Sequence, residues 1–352
     1  MATLATRTSK PLKLLGAHGS PYSRKLRAVL RFRRIPHVWI LRGSKDEGRV
    51  PEIPVPLMPV LVFPGAEGRY DEAAVDSTPL IRRLEREHAG RSVIPPDPVL
   101  AFLDALLEDY ADEWLTKCMF HYRWAFAADV EFAARVFPRW GAIDKSDAEI
   151  APRSKYITER QVGRLGVVGS NAITAPVIEA SYRRLLHLLD ARLSESTFVF
   201  GQRPAASDFG LFGQLTQLAQ LDPTPMAIAR AETPRVVAWV DNVGDLSGLD
   251  AGEGDWIARS PFSETLRALF CEVGRIYAPF LLANARALAV GASRVECELD
   301  GKPWVQQPFP YQGKCLAALR AEREKLTAHE RSAVDALLAG TGCENLFASG
   351  RQ

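Results

Sequence analysis

A chain of 352 residues with 47% apolar content is long enough to bury a sizeable core and to divide into two or more domains. Its 44 basic and 42 acidic side chains leave a net charge of +2, which argues against nucleic acid as an obligate partner. The five cysteines (Cys118, Cys271, Cys297, Cys315, Cys343) are odd in number, scattered and without a Cys-x-x-Cys pair, so they offer neither a disulfide framework nor a zinc site and suit a reducing compartment.

Residues 1–10 read as a loose leader, basic but without an apolar segment. No run reaches the ~18 uninterrupted apolar residues of a membrane span. A cytoplasmic chain with no membrane contact is the expectation. Leu12, Leu14 and Leu15 mark a first strand, which gives way at Gly19-Ser20-Pro21-Tyr22-Ser23 to a helix over about 21–34. A hydroxyl is thereby set at a helix N-terminus, where free backbone N–H groups and the helix dipole stabilise an anion such as a thiolate by roughly 0.3–1 kcal/mol or more. Serine can donate a hydrogen bond to such an anion, or can act as a plain N-cap worth about 1 kcal/mol. His18 beside it is a candidate base or an exposed loop histidine. Arg24, Arg27, Arg31 and Arg34 share one helix face, either as a solvated stripe or as a field that draws in an anionic ligand.

A β-rich run follows at His37-Val38-Trp39-Ile40-Leu41, then a Pro-rich loop ending Val55-Pro56-Leu57-Met58-Pro59-Val60-Leu61-Val62-Phe63. Proline just ahead of an apolar strand is a candidate cis bond, which would turn the backbone of Met58 outward as an extended edge. Next come Tyr70, the run Asp76-Ser77-Thr78-Pro79, and an amphipathic helix over 80–87, with Ser77 as N-cap and Pro79 in the first turn. Pro95-Pro96-Asp97-Pro98 is the clearest boundary, since consecutive prolines rule out helix or central strand. Beyond it, one long helix is expected over 102–124, with an apolar stripe at Leu103, Leu106, Leu107, Tyr110 and Trp114, and Asp109, Glu113 and Lys117 in the favourable acid-before-base order. Further helices are expected over 127–137, 156–166, 173–193, 207–220 and 234–243. A Gly/Asp-rich connector (244–254) leads to a helix over 262–289. Asp300-Gly301 supplies the positive φ angles of a type I′ turn between two alternating strands, 295–306, and Pro303 makes its strand an edge. Two helices close the chain, over 311–325 and 328–339, the second with Thr327 and Glu330 in capping-box spacing and Gly340 as C-cap.

The order strand, Ser20-Pro21-Tyr22-Ser23 at a helix start, strand, loop, Val55-Pro56-Leu57-Met58-Pro59-Val60-Leu61, then Asp76-Ser77 before a helix resembles the thioredoxin-like N-terminal domain of a glutathione S-transferase. Downstream, Phe198-Val199-Phe200-Gly201-Gln202-Arg203-Pro204 leading into a helix near Asp208 is similar to the family's C-terminal segment, and Pro234 to Trp239 fits its Pro-x-x-x-x-Trp helix. The resemblance covers most of residues 11–245. The fold class it implies is α+β followed by all-α: a thioredoxin-like βαβ-ββα glutathione-binding domain over 11–92, a helical C-terminal domain over 99–245, and over 246–352 an extension of helices plus a β-hairpin packed on the helical domain.

By that resemblance Ser20 is the catalytic residue, donating to the glutathione sulfur and favouring thiolate over thiol; Ser23 and Tyr22 are the alternatives. Serine at both 20 and 23 argues against dithiol redox chemistry. The backbone of Met58 ahead of Pro59 would pair with the cysteinyl unit in the manner of an added strand, Asp76 would take the γ-glutamyl ammonium, and Ser77 with its amide would take the carboxylate. Asp76 is shorter than the Glu or Gln usual there, and Ser77 acting only as a cap is the other reading. Arg42 and Lys45 are placed near the glycyl carboxylate. Asp208 resembles a structural helix-start aspartate, but Ala205 stands where Ser or Thr closes the box, so capping is incomplete unless Ser207 substitutes. An acceptor pocket between the domains is expected from Tyr110, Trp114 and His121, with Cys118, Tyr122 and Trp124 beside them, although such a stripe also suits a core or a dimer interface. Trp304, Phe309 and Tyr311 would form a lid or the core of the extension. The implied function is a glutathione transferase with glutathione as co-substrate, no metal, an apolar or aromatic electrophile and a homodimeric assembly; isomerisation, dehalogenation, ether cleavage and peroxide reduction use the same scaffold. The alternative is a non-catalytic binding or assembly protein that uses the extension.

Overall fold

The structure, a computed structural model, describes residues 10–53, 55–65, 67–260 and 262–348, so the leader up to residue 9 lies outside the described residues. Leu12–Gly16 (β1) pairs in parallel with His37–Leu41 (β2), and Pro21–Phe32 (α1) joins them. Val60–Pro64 (β3) and Tyr70–Val75 (β4) add antiparallel on the other side, giving the order β2-β1-β3-β4. Ser77–Glu87 (α2) completes this thioredoxin-like unit. One face of the sheet buries Leu14 and Leu61 in the main core with Leu26 and Leu30 of α1 and Leu80 and Leu84 of α2. The other face, Leu15, Ile40, Val60 and Val62, is covered by the β2–β3 loop through Val50 and Ile53.

The rest is mostly helical: Pro98–Glu113 (α3), Leu115–Ala125 (α4), Ala127–Val136 (α5), Asp147–Val162 (α6), Ala175–Glu195 (α7), Ala206–Leu218 (α8), Pro223–Glu232 (α9) and Pro234–Val243 (α10). Asp97 caps α3 by accepting from the amides of Val99 and Leu100 at 2.9 and 3.1 Å, with Pro98 at the first helical position. The single helix expected over 102–124 is therefore longer at its start, and it breaks at Trp114. There the chain tightens, the Lys117 amide bonding the Trp114 carbonyl, while the buried Trp114 indole donates to Ser181 Oγ at 2.8 Å. Helix α6 begins nine residues before the expected position because Ser146 and Glu149 form a capping box, and α9 was not expected at all.

Beyond residue 245 come Glu264–Glu272 (α11), a π-helical turn over Val273–Tyr277, Ala278–Ala289 (α12), the hairpin Val295–Leu299 (β5) and Lys302–Gln306 (β6), Pro310–Glu324 (α13) and Ala328–Leu338 (α14). The helix expected over 262–289 is interrupted one turn before Pro279, which has no amide hydrogen for the ladder. Gly274 is needed there as well, since a Cβ would lie 2.0 Å from the Thr341 carbonyl oxygen. Asp300 and Gly301 have φ of 53° and 70°, the left-handed pair of the expected hairpin turn. Thr327 and Glu330 form their capping box.

One hydrophobic cluster runs from Leu12 to Leu346 and takes in residues of the thioredoxin-like unit, the helices that follow it and the stretch beyond residue 245. Trp304 of the hairpin packs against Trp114 of the α3–α4 junction, ring centroids 5.3 Å apart, and Phe280 of α12 lies within 6.0 Å of both. Helices α13 and α14 lie along α3, the edge of Phe102 meeting Phe347 at 5.4 Å. This cover removes the solvent face that the charge pattern of α3 implies. Asp109 and Glu113 are part-buried and Lys117 is buried, and they do not form the expected i, i+4 ladder. Asp109 accepts from the Tyr277 hydroxyl at 2.6 Å, Glu113 from Gln312 Nε2 at 3.2 Å, and Lys117 donates to the Val168 carbonyl and Gln306 Oε1 at 3.1 and 3.0 Å.

Burial, reinforced by Asp109 and Asp112, pushes the Glu113 carboxyl up to about 8, and burial lowers Lys117 to about 7. A carboxyl whose folded pKa is raised contributes stability that is complete below its unfolded value and lost as pH climbs through the folded one. Glu113→Gln keeps an acceptor for Gln312 and cannot ionise. Its thermal midpoint is expected to fall less than that of the parent between about pH 6 and about pH 8. Parallel pH profiles for the two proteins would show that the Glu113 carboxyl has the same pKa folded and unfolded.

Candidate functional site

Ser20 is the N-cap of α1, with φ −104° and ψ 114°, and is only 8% exposed. Its Oγ accepts from the Ser23 amide at 3.2 Å, so the cap bond uses an oxygen lone pair and leaves the hydroxyl hydrogen free to donate outward. Ser23 faces the other way: it is fully buried, and its Oγ accepts from the Ala17 amide at 3.3 Å. Tyr22 turns into the helical layer, where its hydroxyl donates to the Asp112 carbonyl at 2.9 Å and meets Thr116 Oγ1 at 2.6 Å. Of the three hydroxyls, Ser20 alone combines the N-cap position with a free donor on a side chain that is not fully buried.

The loop before Ser20 is fixed by the helices behind it, an arrangement no local motif announces. Arg123 of α4 donates to the Gly19 carbonyl at 2.8 Å while its other nitrogens bond Asp222 and Gln217; Gln217 Nε2 in turn donates to the His18 carbonyl at 3.1 Å. Arg123 and Asp222 are both buried, so the pair is a strut between helices rather than a surface contact. Gly19 has no room for a side chain, as a Cβ would lie 2.9 Å from Trp140, and Gly213 lets α8 approach to 2.6 Å between its would-be Cβ and the Pro21 carbonyl. His18 sits between Trp39 and Trp140, and burial, then Arg24 and Arg27, lowers its pKa from 6.5. Of the arginine stripe, Arg31 and Arg34 donate to carbonyls of Gly244 and Ser247 in the connector, whereas Arg27 stacks over Trp39 at 4.8 Å.

On the facing edge the Met58-Pro59 bond is cis, and Met58 is 40% exposed. Asp76 rather than Ser77 occupies the N-cap of α2, with φ 75°, a left-handed conformation that few side chains adopt. Neither residue caps the helix through its side chain. Ser77 is buried as the first helical residue, and its hydroxyl bonds no described residue, so the expected cap is not made and the first turn of α2 keeps its free donors. Arg42 is held by Glu47 at 2.5 Å, and Lys45 is exposed.

Between these two helix starts lies a buried charge network. Lys25 of α1 reaches Glu108 at 2.7 Å and Asp112 at 2.5 Å, both on α3, and donates to Thr78 Oγ1 of α2 at 3.0 Å; Arg82 holds Glu108 at 2.7 Å. Burial opposes the lysine charge, but Asp112 and Glu108 outweigh it and hold Lys25 above its usual value. Further back, Asp208 accepts from the amides of Val199 and Ala205, both at 2.9 Å. Ser207 does not close that box: its amide goes to Asp104 Oδ1 at 2.8 Å. Burial pushes Asp104 and Asp208 up to about 7.

Tyr110, Trp114 and His121, expected to line an acceptor pocket, are buried. Tyr110 and Trp114 are core residues under the extension, and His121 is buried with Nδ1 at 2.8 Å from Ser170 Oγ and Nε2 at 3.3 Å from Glu179. Cys118 and Trp124 are buried too. Tyr122 lines an open groove of ≈ 530 Å³ with Phe126, Glu179 and Ile228, which shares no residue with the Ser20 loop or the start of α2. Trp304 belongs to the core, while Phe309 and Tyr311 are part-exposed, and the Tyr311 hydroxyl donates to Asp76 Oδ2 at 2.7 Å.

A thioredoxin-like sheet with a hydroxyl at the start of α1, a cis proline before β3 and an open helix start after β4, followed by a helical region, is the architecture of a glutathione S-transferase. Residues 14–92 match the family described as glutathione S-transferase, N-terminal domain. Among solved structures, a glutathione S-transferase of Methylobacterium radiotolerans in complex with glutathione sulfonate is 18% identical, over 66% of this chain and 90% of that one, with a TM-score of 0.39. A glutathione transferase family member from Pseudomonas fluorescens Pf-5 with two glutathione molecules bound is 12% identical, over 69% and 95%, with a TM-score of 0.40. A glutathione S-transferase from Rhodospirillum rubrum F11 is 15% identical, over 74% and 91%, with a TM-score of 0.37. No curated protein matches the chain. Among the described residues, no helix is long and apolar enough to cross a membrane.

Proposed function

We propose that this chain binds glutathione across the starts of α1 and α2 and activates its thiol for attack on an apolar or aromatic electrophile. The observation that carries this is the pairing of a free Ser20 hydroxyl at one helix start with an uncapped α2 start at the other, on a domain that matches the family. Ser20 would donate to the sulfur and stabilise the thiolate, so that more nucleophile exists at neutral pH. The backbone of Met58 beside Pro59 would pair with the cysteinyl unit, Asp76 would bind the γ-glutamyl ammonium, and Ser77 with the first amides of α2 would bind its carboxylate. The reaction needs no metal in this scheme: the thiol proton passes to solvent, the thiolate attacks the electrophilic carbon to form the C–S bond, and the displaced electron pair either departs with the leaving group as an anion or, in an addition, rests on the neighbouring carbon, which then takes a proton from solvent. A cytoplasmic setting and a homodimer remain part of the proposal.

Calorimetric titration of glutathione into the full chain tests it. Binding in the micromolar to low millimolar range is expected, weakened about tenfold or more by Asp76→Ala through loss of a charge-assisted contact. An absence of binding by the parent chain would sink the transferase reading. One observation favours the non-catalytic alternative, namely that Tyr110 and Trp114 are filled in by the extension instead of facing an acceptor. Glutathione binding without turnover of any electrophile in a broad screen would select it.

A further inference from the structure

The extension sends one side chain to the helix start that the proposed site uses. Tyr311, in the first turn of α13, donates its hydroxyl to Asp76 Oδ2 at 2.7 Å. The residues on either side are anchored in buried surroundings. Asn284 of α12 takes both backbone groups of Phe309, donating to its carbonyl at 3.0 Å and accepting from its amide at 2.8 Å. Gln312 is buried and donates to Glu113 Oε2 at 3.2 Å. Tyr311 is therefore delivered by a fixed helix start and not by a swinging tail.

We propose that Tyr311 is a positioning residue of the glutathione site, holding the Asp76 carboxylate so that its second oxygen receives the γ-glutamyl ammonium. This rests on the assignment of Asp76 to that ammonium. A carboxylate offers about four acceptor positions on its two oxygens, and one phenol occupies only one of them, so the contact orients the group and leaves Oδ1 for the ligand. Asp76 needs such a brace: it is short, its backbone sits at φ 75°, and Tyr311 makes the only side-chain hydrogen bond to it among the described residues. In this arrangement the C-terminal extension completes the substrate site from within the same chain.

The test compares glutathione with des-amino glutathione, in which hydrogen replaces the ammonium, by calorimetry on the full chain and on Tyr311→Phe. The parent is expected to prefer glutathione. Tyr311→Phe, which keeps the ring and the packing, is expected to weaken glutathione binding about three- to tenfold while leaving the des-amino ligand unchanged, with an unaltered thermal midpoint. Equal losses for both ligands would reduce Tyr311 to a structural contact, and tighter glutathione binding would make it a plug; either overturns the proposal while the site stands. A parent chain that binds both ligands equally removes Asp76 from the ammonium and Tyr311 with it, and one that binds neither removes the glutathione site altogether.

Discussion

Ser20→Ala is expected to leave glutathione bound but to slow its conjugation to an activated aryl halide about 10²-fold, the usual consequence of deleting one donor aimed at a developing or resident anion. The effect belongs in kcat more than in the affinity, because the γ-glutamyl contacts proposed at Asp76 and Ser77 are left in place. Two contributions have to be separated. The Ser20 oxygen also caps α1 through the Ser23 amide, and loss of that cap costs about 1 kcal/mol of stability. Ser20→Gly is the useful companion, since glycine is a tolerable N-cap and loses only a few tenths of a kcal/mol, yet cannot donate to sulfur. If thiolate stabilisation is the role of Ser20, both variants lose the bound-thiolate absorbance and the rate alike, although their stabilities differ. Ser23→Ala, at a hydroxyl turned towards Ala17, is expected to keep the rate. Full activity in both Ser20 variants would move the thiol donor elsewhere.

Local chemistry was legible in the sequence. A serine ahead of Pro21, a proline ahead of β3 and an Asp-Gly pair between alternating strands each impose a backbone geometry through the residues themselves, and the structure has the helix start, the cis bond and the paired left-handed angles at those places. Contacts made at long range were not. Nothing in the residues around Lys25 marks it for the interior, yet it is fully buried, because the acids that balance it lie more than eighty residues later on α3. Tyr110 and Trp114 sit on a stripe that equally fits a pocket or a core. What decides between them is Trp304, nearly two hundred residues on, and no periodicity within the helix records it. The same cover turned Asp109, Glu113 and Lys117 from a surface ladder into covered groups with partners on the extension. Arg123 was missed for a related reason: its role depends on three partners, Gly19, Gln217 and Asp222, drawn from two distant parts of the chain.

Lys25→Met is expected to be the most damaging single change outside the hydrophobic core, costing about 3–5 kcal/mol, because it removes the cation from a buried cluster and leaves Glu108 and Asp112 facing each other with only Arg82 beside them. The pH dependence identifies the cause. In the parent, Lys25 has a raised folded pKa, so its contribution is complete below the unfolded value of a lysine and is lost only as pH rises through the higher folded value; acidification from neutrality does not touch that term. In the variant the two carboxylates repel and are desolvated, so one of them takes up a proton more readily folded than unfolded, and stability should recover as pH is lowered from about 7 to about 5. Denaturant titrations at the two pH values measure this directly. Lys25→Met combined with Asp112→Leu, which removes one of the stranded charges, should regain part of the loss even at neutral pH. A loss that is the same at both pH values would point to packing alone. The consequence reaches the site, since Lys25 ties α1 to Thr78, the residue after Ser77, while Asp112 and its carbonyl hold Thr78 and Tyr22. The spacing between the Ser20 and Ser77 helix starts thus depends on this cluster, and glutathione affinity should fall together with stability in Lys25→Met and stay low in the double variant, which regains stability but has lost both the Lys25 and the Asp112 side-chain contacts to Thr78.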